Sequence, residues 1–194
     1  MNGKVGFFVS VALAIAAFAL VIVLTGDDEE APSGNYGGDA PDYEQALAGA
    51  PPPLARLHDQ ANELLPGELD AFDRRRAELE GFPVVANLWA SWCGPCRFEF
   101  PHFQSLGAEY GKQVAFIGVD SDDSEEAAST FLSEFPVPFP SYSDPDREIW
   151  DDLGVLGLPA TAFYDDSGEL RFLKQGAYAD EAELRADIER FALK

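Results

Sequence analysis

The chain has 194 residues, of which 46% are hydrophobic, and this is enough for one folded domain with additional segments. With 35 acidic against 13 basic residues, its formal net charge is −22, which argues against nucleic-acid binding because that function needs a basic surface. The acidic residues are spread along the chain, which favours solubility or adaptation to a salty medium over the attraction of basic partners.

The N-terminal segment predicts a membrane anchor. Residues 1–4 are short and basic, and residues 5–24 are apolar or small, with Ser10 as the only polar side chain. About 20 such residues span the hydrocarbon core as a helix. Because Lys4 precedes the segment and acidic residues follow it, we expect a cytoplasmic N-terminus and an extracytoplasmic remainder, in a single-pass protein of the cell membrane. A cleaved signal peptide is the alternative, but its shorter apolar stretch and small-x-small cleavage site are missing.

Two further segments precede the core. Residues 25–53 are rich in proline, glycine and acidic residues, which predicts a flexible tether; a helical turn near Tyr43 to Leu47 stays open. Residues 54–81 predict a helical lead-in. The apolar spacing there favours one helix from Leu54 to Leu65 and a second from Leu69 to Glu80.

Residues 82–194 predict alternating strands and helices in the order βαβα followed by ββα. These elements are a strand at 83–89, a helix ending near 110, a strand at 114–119, a helix at 122–135, an extended connector at 136–140, a short helix at 146–153, a strand ending at 164, a hairpin turn at 165–168, a strand at 169–174 and a helix capped by Asp180. The order predicts one α/β domain over residues 54–194, with a mixed sheet flanked by helices.

The only two cysteines, Cys93 and Cys96, directly follow the first core strand. A cysteine at the start of a helix faces unpaired backbone N–H groups and the positive end of the helix dipole, and both favour the reactive thiolate. Cys96, one turn further along, would be shielded and placed to resolve a mixed disulfide formed at Cys93. Pro95 suits the first helical turn because it has no N–H group and a preset φ. The pair predicts a redox-active disulfide that needs no metal or organic cofactor.

Three other uses of a Cys-x-x-Cys pair fit this sequence less well. Tetrahedral zinc needs two more ligands, but the only histidines are His58, far upstream, and His102, on the helix of the cysteines. A purely structural disulfide across so short a loop constrains the unfolded chain least. A c-type haem site needs a histidine directly after the second cysteine, where Arg97 stands.

The stretch Leu88–Arg97, with Pro101 further along its helix, resembles the active-site motif of the thioredoxin superfamily. The loop at residues 157–159 is similar to the one in which that superfamily carries a cis-proline beside the active cysteine; an ordinary trans-proline is the alternative. The resemblance implies a thioredoxin fold and a docking surface for partner proteins around Cys93. The residues implied for this docking surface are Trp92, Gly94, Pro95, Leu158 and Pro159.

The predicted anchor, the helical lead-in and the extra segment at 120–144 resemble the membrane-anchored TlpA/ResA/DsbE group of that superfamily. Many members reduce disulfides during cytochrome c maturation. This implies client proteins with disulfides or thiols, apocytochrome c among them, and a membrane electron donor. The Gly94-Pro95 dipeptide is similar to that of reducing relatives, which favours reduction. A thiol oxidant or isomerase, or a non-catalytic tethered module that binds thiols or copper, is the alternative.

Two polar positions near the cysteines carry further implications. Asn87 stands where cytosolic thioredoxins have a buried aspartate that moves protons, and asparagine cannot titrate. Glu99 matches a glutamate that the TlpA/ResA group places near the cysteines, and three residues after Cys96 it would lie on the same side of the helix. A partly buried carboxylate beside two thiols can hold or deliver a proton near neutral pH, which makes Glu99 a candidate catalytic residue. A solvated helix carboxylate is the alternative.

Overall fold

A six-stranded mixed sheet runs through residues 41–193, the part of the chain that the computed structural model describes. The strands, in chain order, are β1 (Leu64–Leu65), β2 (Val84–Trp89), β3 (Ala115–Ser121), β4 (Ser141–Asp144), β5 (Ala160–Tyr164) and β6 (Leu170–Gln175). Their spatial order is β1-β4-β3-β2-β5-β6. Strands β1, β4, β3 and β2 run parallel to one another, whereas β5 is antiparallel to both β2 and β6. The predicted mixed sheet is confirmed.

Helices cover both faces of the sheet. They are α1 (Tyr43–Leu47), α2 (Pro52–His58), α3 (Glu68–Glu78), α4 (Gly94–Tyr110), α5 (Glu125–Glu134), α6 (Glu148–Leu153) and α7 (Glu181–Asp187), which continues as a π-helical turn at Ile188–Ala192. Apolar side chains of α4, α5 and α7 form one core cluster with the sheet, and those of α2, α3 and α6 form a second cluster on the opposite face.

The central strand β2 sorts its side chains between these two clusters. Val85 and Trp89 belong to the cluster under α4, whereas Ala86 and Leu88 belong to the opposite one, because successive side chains of a strand point to opposite faces. By the same alternation, Asn87 lies on the face that α4 covers. All six residues of β2 are buried, which explains the continuous apolar run that marks this strand in the sequence.

The lead-in differs from its prediction. The helix expected from Leu54 to Leu65 ends at His58, and Leu64–Leu65 instead pair in parallel with Ser141 and Tyr142 as strand β1. Between them, Asn62 adopts a positive φ of 64°, which a helix cannot contain. The second predicted helix is confirmed at Glu68–Glu78.

The expected tether also ends earlier than residue 53. The helical turn left open at Tyr43 to Leu47 is present as α1 and packs against the domain: Leu47 is buried, and the hydroxyl group of Tyr43 donates to the carbonyl oxygen of Pro136 over 2.9 Å. The predicted anchor at 5–24, residues 1–4 and the rest of the tether lie outside the described residues. Across 41–193, no helix has both the length and the apolar character that crossing a bilayer requires.

Candidate active site

The two cysteines lie where β2 passes into α4. Cys93 is the N-cap residue of α4, and its Sγ accepts a hydrogen bond from the backbone N–H of Cys96 over 3.2 Å. The two side chains are joined in a disulfide. Cys93 keeps 4% of its surface exposed and Cys96 none, so Cys93 is the more accessible of the two cysteines. Pro95 occupies the first turn of the helix, where no N–H group is lost.

The loop before β5 lies at the same end of the sheet as the disulfide. β2 and β5 run antiparallel with Leu88 opposite Ala160, so Pro159 enters β5 where β2 runs out towards the cysteines. The peptide bond between Leu158 and Pro159 is cis, as the resemblance implied. Pro159 is buried and its carbonyl oxygen accepts the N–H of Gly176, whereas Leu158 is partly buried and packs against both core clusters.

Three of the residues implied for docking are exposed beside Cys93. Gly94 and Pro95 are exposed, and Trp92 has 58% of its surface accessible. The indole Nε1 of Trp92 donates to the carbonyl oxygen of Asp122 over 2.9 Å, which holds the ring although it faces solvent. The structure therefore places an apolar, accessible rim next to the more accessible cysteine.

Leu156 is a further exposed apolar residue of this region that sequence reasoning missed. It is 86% exposed and lies in the loop that leads to Pro159. Its backbone N–H donates to Oε1 of Gln175 over 3.1 Å, and Nε2 of the same glutamine donates to the carbonyl oxygen of Gly154 over 3.4 Å. The only signal in the sequence is that this leucine lies in a loop between two glycines, outside the predicted strands and helices that bury apolar side chains.

Glu99 is buried on α4, so the alternative of a solvated helix carboxylate is wrong. Its side chain is fully inaccessible; Nδ2 of Asn87 donates to one carboxyl oxygen over 2.8 Å, and the N–H of Tyr178 donates to the other over 3.0 Å. Burial raises the pKa of Glu99 to about 7, although these two hydrogen bonds and the charge of Lys174 act in the opposite direction. Desolvation is the larger effect, so this carboxyl group exchanges its proton near neutral pH.

A second buried acid near the cysteines was not singled out by the sequence. Asp120, at the end of β3, is 1% exposed, and burial followed by the proximity of Asp123 and Asp144 raises its pKa to about 8. Asp123 accepts the N–H of Ser91 over 2.6 Å. The signal in the sequence was an aspartate at the end of an apolar strand that neighbours the cysteine-bearing strand.

Neither histidine joins the cysteines. His58 ends α2, and His102 lies on α4 with its Nε2 buried and without a hydrogen-bond partner. Burial lowers the pKa of both imidazoles. Within residues 41–193, no three His, Cys, Asp or Glu side chains cluster in a way that could hold a metal ion. The arrangement at Cys93 and Cys96 is that of a dithiol–disulfide pair with a buried, titratable carboxyl group on the same helix.

Comparison with known proteins points to the same chemistry. Residues 60–173, more than half of the chain, match the AhpC/TSA family. The thiol-disulfide oxidoreductase ResA of Oceanobacillus iheyensis is 36% identical over 111 residues, which are 57% of this chain and 58% of ResA. The thiol:disulfide interchange protein DsbE of Escherichia coli is 34% identical over 141 residues, which are 72% of this chain and 71% of DsbE. The match therefore spans less than two thirds of ResA and more than two thirds of DsbE.

A solved structure confirms the fold. The crystal structure of a secreted Mycobacterium tuberculosis disulfide oxidoreductase, described as homologous to Escherichia coli DsbE, superposes with a TM-score of 0.54 at 28% identity. The superposition covers 59% of this chain and 85% of that one. The α/β architecture is thus thioredoxin-like, as the resemblance implied.

Proposed function

The chain belongs to the AhpC/TSA family and to the thioredoxin-fold thiol-disulfide oxidoreductases that include ResA and DsbE, and from this premise we propose that it reduces disulfide bonds of client proteins through Cys93 and Cys96. The observation that carries the proposal is the unequal placement of the two sulfurs. Cys93 caps α4 and keeps 4% of its surface exposed, whereas Cys96 is fully buried in the first turn of α4 and is bonded to Cys93. This order suits attack by the first cysteine and resolution by the second.

The start of α4 favours the nucleophile. A helix N-terminus stabilises a nearby negative charge by about 0.3–1 kcal/mol, and a hydrogen bond to a charged acceptor contributes about 1.5–3 kcal/mol. The N–H of Cys96 already points at the sulfur of Cys93 in the disulfide form. After reduction, the same N–H group and the helix dipole favour the Cys93 thiolate, which is the attacking species.

The exchange then balances in two steps. The Cys93 thiolate attacks one sulfur of the client disulfide, that S–S bond breaks, and the departing client sulfur takes up a proton. Cys96 loses its proton, and its thiolate attacks Sγ of Cys93, which breaks the mixed disulfide and releases the other client sulfur to be protonated in turn. Two electrons have passed to the client, and the Cys93–Cys96 disulfide seen here is the product. Glu99, with its pKa of about 7, is the group proposed to hold or deliver a proton during these steps.

The proposed location, electron donor and client follow from the predicted anchor and from the resemblance to relatives. We place the thioredoxin-like domain on the outer face of the cell membrane, held by residues 5–24, with a membrane electron donor that returns two electrons to the disulfide. Apocytochrome c is the proposed client. The apolar character of residues 5–24 and the resemblance to the TlpA/ResA/DsbE group support these assignments.

Trapping in the native cell tests the proposal. In a Cys96→Ser variant, the mixed disulfide at Cys93 cannot be resolved, so clients should accumulate as adducts that mass spectrometry identifies. A Cys93→Ser/Cys96→Ser variant at equal expression is the matched control, since it keeps the surface and loses the nucleophile. Capture of apocytochromes or their assembly factors supports the maturation role, whereas a broad set of secreted proteins replaces it with general thiol control. Equal adducts in both variants, or none in either, would overturn the exchange mechanism.

A further inference from the structure

Two carboxyl groups lie behind the segment that leads into the disulfide. Asp120 is the penultimate residue of β3, and strand register places it between Trp89 of β2 and Ser143 of β4, with 1% of its surface exposed. Asp123 follows in the turn before α5, and its carboxyl group lies close enough to that of Asp120 to raise the pKa of Asp120. Two carboxylates close together repel each other, which favours a proton on the more deeply buried of the two groups.

Asp123 connects this pair to the active-site segment. One of its carboxyl oxygens accepts the N–H of Ser91 over 2.6 Å, and the other accepts the N–H of Ser124 over 2.8 Å. One residue further on, the indole of Trp92 donates to the carbonyl oxygen of Asp122. The turn after β3 therefore holds both residues that directly precede Cys93.

We propose that Asp120 and Asp123 are positioning residues for the exchange reaction: Asp120 keeps a proton that it donates to Asp123, and Asp123 holds the N–H of Ser91 so that Trp92 and Cys93 keep their places. The expected effect on the rate of disulfide exchange rests on the proposed function, whereas the hydrogen bond from Ser91 to Asp123 does not.

The surroundings of Asp120 favour its neutral form. Its Oδ1 is buried and has no hydrogen-bond partner among the described residues, so a carboxylate there would leave a charge unsatisfied. The charged groups that face it are Asp123 from the turn and Asp144 from the end of β4. The carboxyl oxygens of Asp144 accept hydrogen bonds from the start of α6, from the N–H groups of Ile149 and Trp150. Burial, Asp123 and Asp144 all raise the pKa of Asp120.

The hydrogen bond from Ser91 to Asp123 should therefore depend on pH. With a pKa of about 8, Asp120 keeps its proton at pH 7 and loses it in mildly alkaline solution. A second negative charge then arises beside Asp123, the two carboxylates repel each other, and the hold on Ser91 weakens. The oxidised protein is the right form in which to observe this, because disulfide-bonded cysteines do not titrate.

Three variants separate the titration of Asp120 from the hydrogen bond that Asp123 accepts from Ser91. Asp120→Asn removes the titration but keeps a side chain that can donate an N–H group to Asp123. Asp123→Ala removes the acceptor for Ser91, and Asp123→Asn, which retains an acceptor oxygen, is its conservative partner and should rescue most of the effect. Glu125→Gln is the matched control, because this exposed residue in the first turn of α5 loses one charge without touching either carboxyl group.

The first readout is the Ser91 amide proton in the NMR spectrum of the ¹⁵N-labelled, oxidised full chain between pH 6 and 9.5. In wild type and Glu125→Gln we expect a downfield resonance that shifts with a midpoint near pH 8. In Asp120→Asn it should stay downfield without that transition, and in Asp123→Ala it should lie upfield throughout. A transition near pH 8 that persists in Asp120→Asn, or an unchanged Ser91 resonance in Asp123→Ala, would overturn the proposal.

The second readout is the rate of disulfide exchange with a protein client. We expect Asp123→Ala to lose about tenfold at pH 7, in the range seen when a positioning contact is lost. Asp120→Asn should lack the fall in rate that wild type shows as the pH rises from 7 to above 8. Equal rates for all variants at both pH values would remove the positioning role. If wild type itself performs no exchange, the proposed function fails, while the NMR result still decides whether the carboxyl pair holds Ser91.

Discussion

Asn87 and Glu99 meet in the interior of the domain, where Nδ2 of the amide donates to Oε1 of the carboxyl group over 2.8 Å. The pairing places a group that cannot titrate on β2 against one that titrates on α4, three residues after the buried Cys96. Of the two side chains, only the one on the helix can gain or lose a proton. The amide keeps the carboxyl group oriented in both of its protonation states, because Nδ2 can donate to either form.

The first prediction concerns the pH dependence that Glu99 confers. The pKa of Glu99 is about 7 in the folded protein, against its ordinary value of 4.5 in the unfolded chain. Because the folded state binds this proton more tightly, its contribution to stability is complete below pH 4.5 and is lost as the pH rises through 7. Glu99→Gln removes the titration. The difference in free energy of unfolding between variant and wild type should therefore change across this window and stay flat above it.

Chemical denaturation at a series of pH values measures this difference. Glu125→Gln, at an exposed position in the first turn of α5, is the control and should follow the wild-type curve. The rate of client reduction by the reduced protein should show an inflection near pH 7 that Glu99→Gln lacks. An inflection that persists in Glu99→Gln would assign the proton transfer to another group.

The second prediction concerns the exposed indole of Trp92. Because its ring faces solvent and makes one hydrogen bond, replacing it should lower the free energy of unfolding by no more than about 0.5–1.5 kcal/mol, the contribution of a single hydrogen bond. If the ring binds clients, Trp92→Ala should lower kcat/KM for a protein client about tenfold, a transition-state loss of about 1.4 kcal/mol. Trp92→Phe, which keeps an aromatic ring but loses the hydrogen bond to Asp122, should retain most of the activity.

A small dithiol or disulfide substrate provides the internal control for Trp92, because it reacts at Cys93 without covering the surface around it. Its exchange rate should be equal in wild type and Trp92→Ala. A parallel loss with both substrates would mean that the indole acts on the cysteine itself and not on client binding.

The third prediction concerns Leu156, held outwards in the loop before the cis-proline. An apolar side chain that is 86% exposed contributes little to folding, so Leu156→Ala should leave the melting temperature unchanged. Next to a client site it contributes apolar contact area, and we expect weaker client binding in Leu156→Ala and a larger loss in Leu156→Asp. Measured KM values for a protein client test this, with kcat expected to change less.

Leu170 offers a matched control for Leu156. It is 41% exposed and starts β6 opposite Tyr164, at the end of the hairpin away from the cis-proline loop. Leu170→Ala removes a similar exposed side chain from the same sheet region and should leave KM unchanged. If Leu156→Ala behaves like Leu170→Ala, clients do not contact the loop at this position.

Local spacing was sufficient to place the candidate catalytic groups along the chain. Cys93, Cys96 and Glu99 fall on one helix start because helical geometry depends only on near neighbours. The environment of Glu99 was not predictable in this way. One of its two hydrogen bonds comes from the backbone of Tyr178, which is 79 residues further along, and no local pattern specifies that contact.

Apart from β1, which was predicted as the end of a helix, the strands were predictable where apolar side chains mark them. β4 was missed because its sequence, Ser141-Tyr142-Ser143-Asp144, is mostly polar. It is buried for reasons that lie elsewhere in the fold: the hydroxyl group of Ser141 accepts the indole N–H of Trp89 over 3.2 Å, and the carboxyl group of Asp144 accepts N–H groups at the start of α6. Asp120 and Asp123 were missed for the same reason, since their partners belong to other segments.

The fourth prediction tests the packing beneath the active-site helix. Gly118 lies opposite Ser141 in the β3–β4 pair, under the indole of Trp89, which also stacks on Phe131. A Cβ atom at residue 118 would overlap the hydroxyl group of Ser141 and lie 3.0 Å from Nε1 of Trp89. Because both strands are buried and hydrogen-bonded, neither neighbour can move freely. Gly118→Ala should destabilise the protein by about 2–3 kcal/mol, the upper part of the range for overpacked cores.

Denaturant unfolding of a short series isolates the clash from any general effect of alanine. Gly118→Ala/Ser141→Gly should recover part of the lost stability, because the second change removes the hydroxyl group that a new Cβ meets, although the hydrogen bond from Trp89 is lost with it. Gly157→Ala is the control for the glycine-to-alanine change itself, since no atom lies within 4 Å of a Cβ there and its φ is not in the left-handed region. If Gly118→Ala proves as stable as Gly157→Ala, the strands beneath the active site are more compliant than a close-packed core allows.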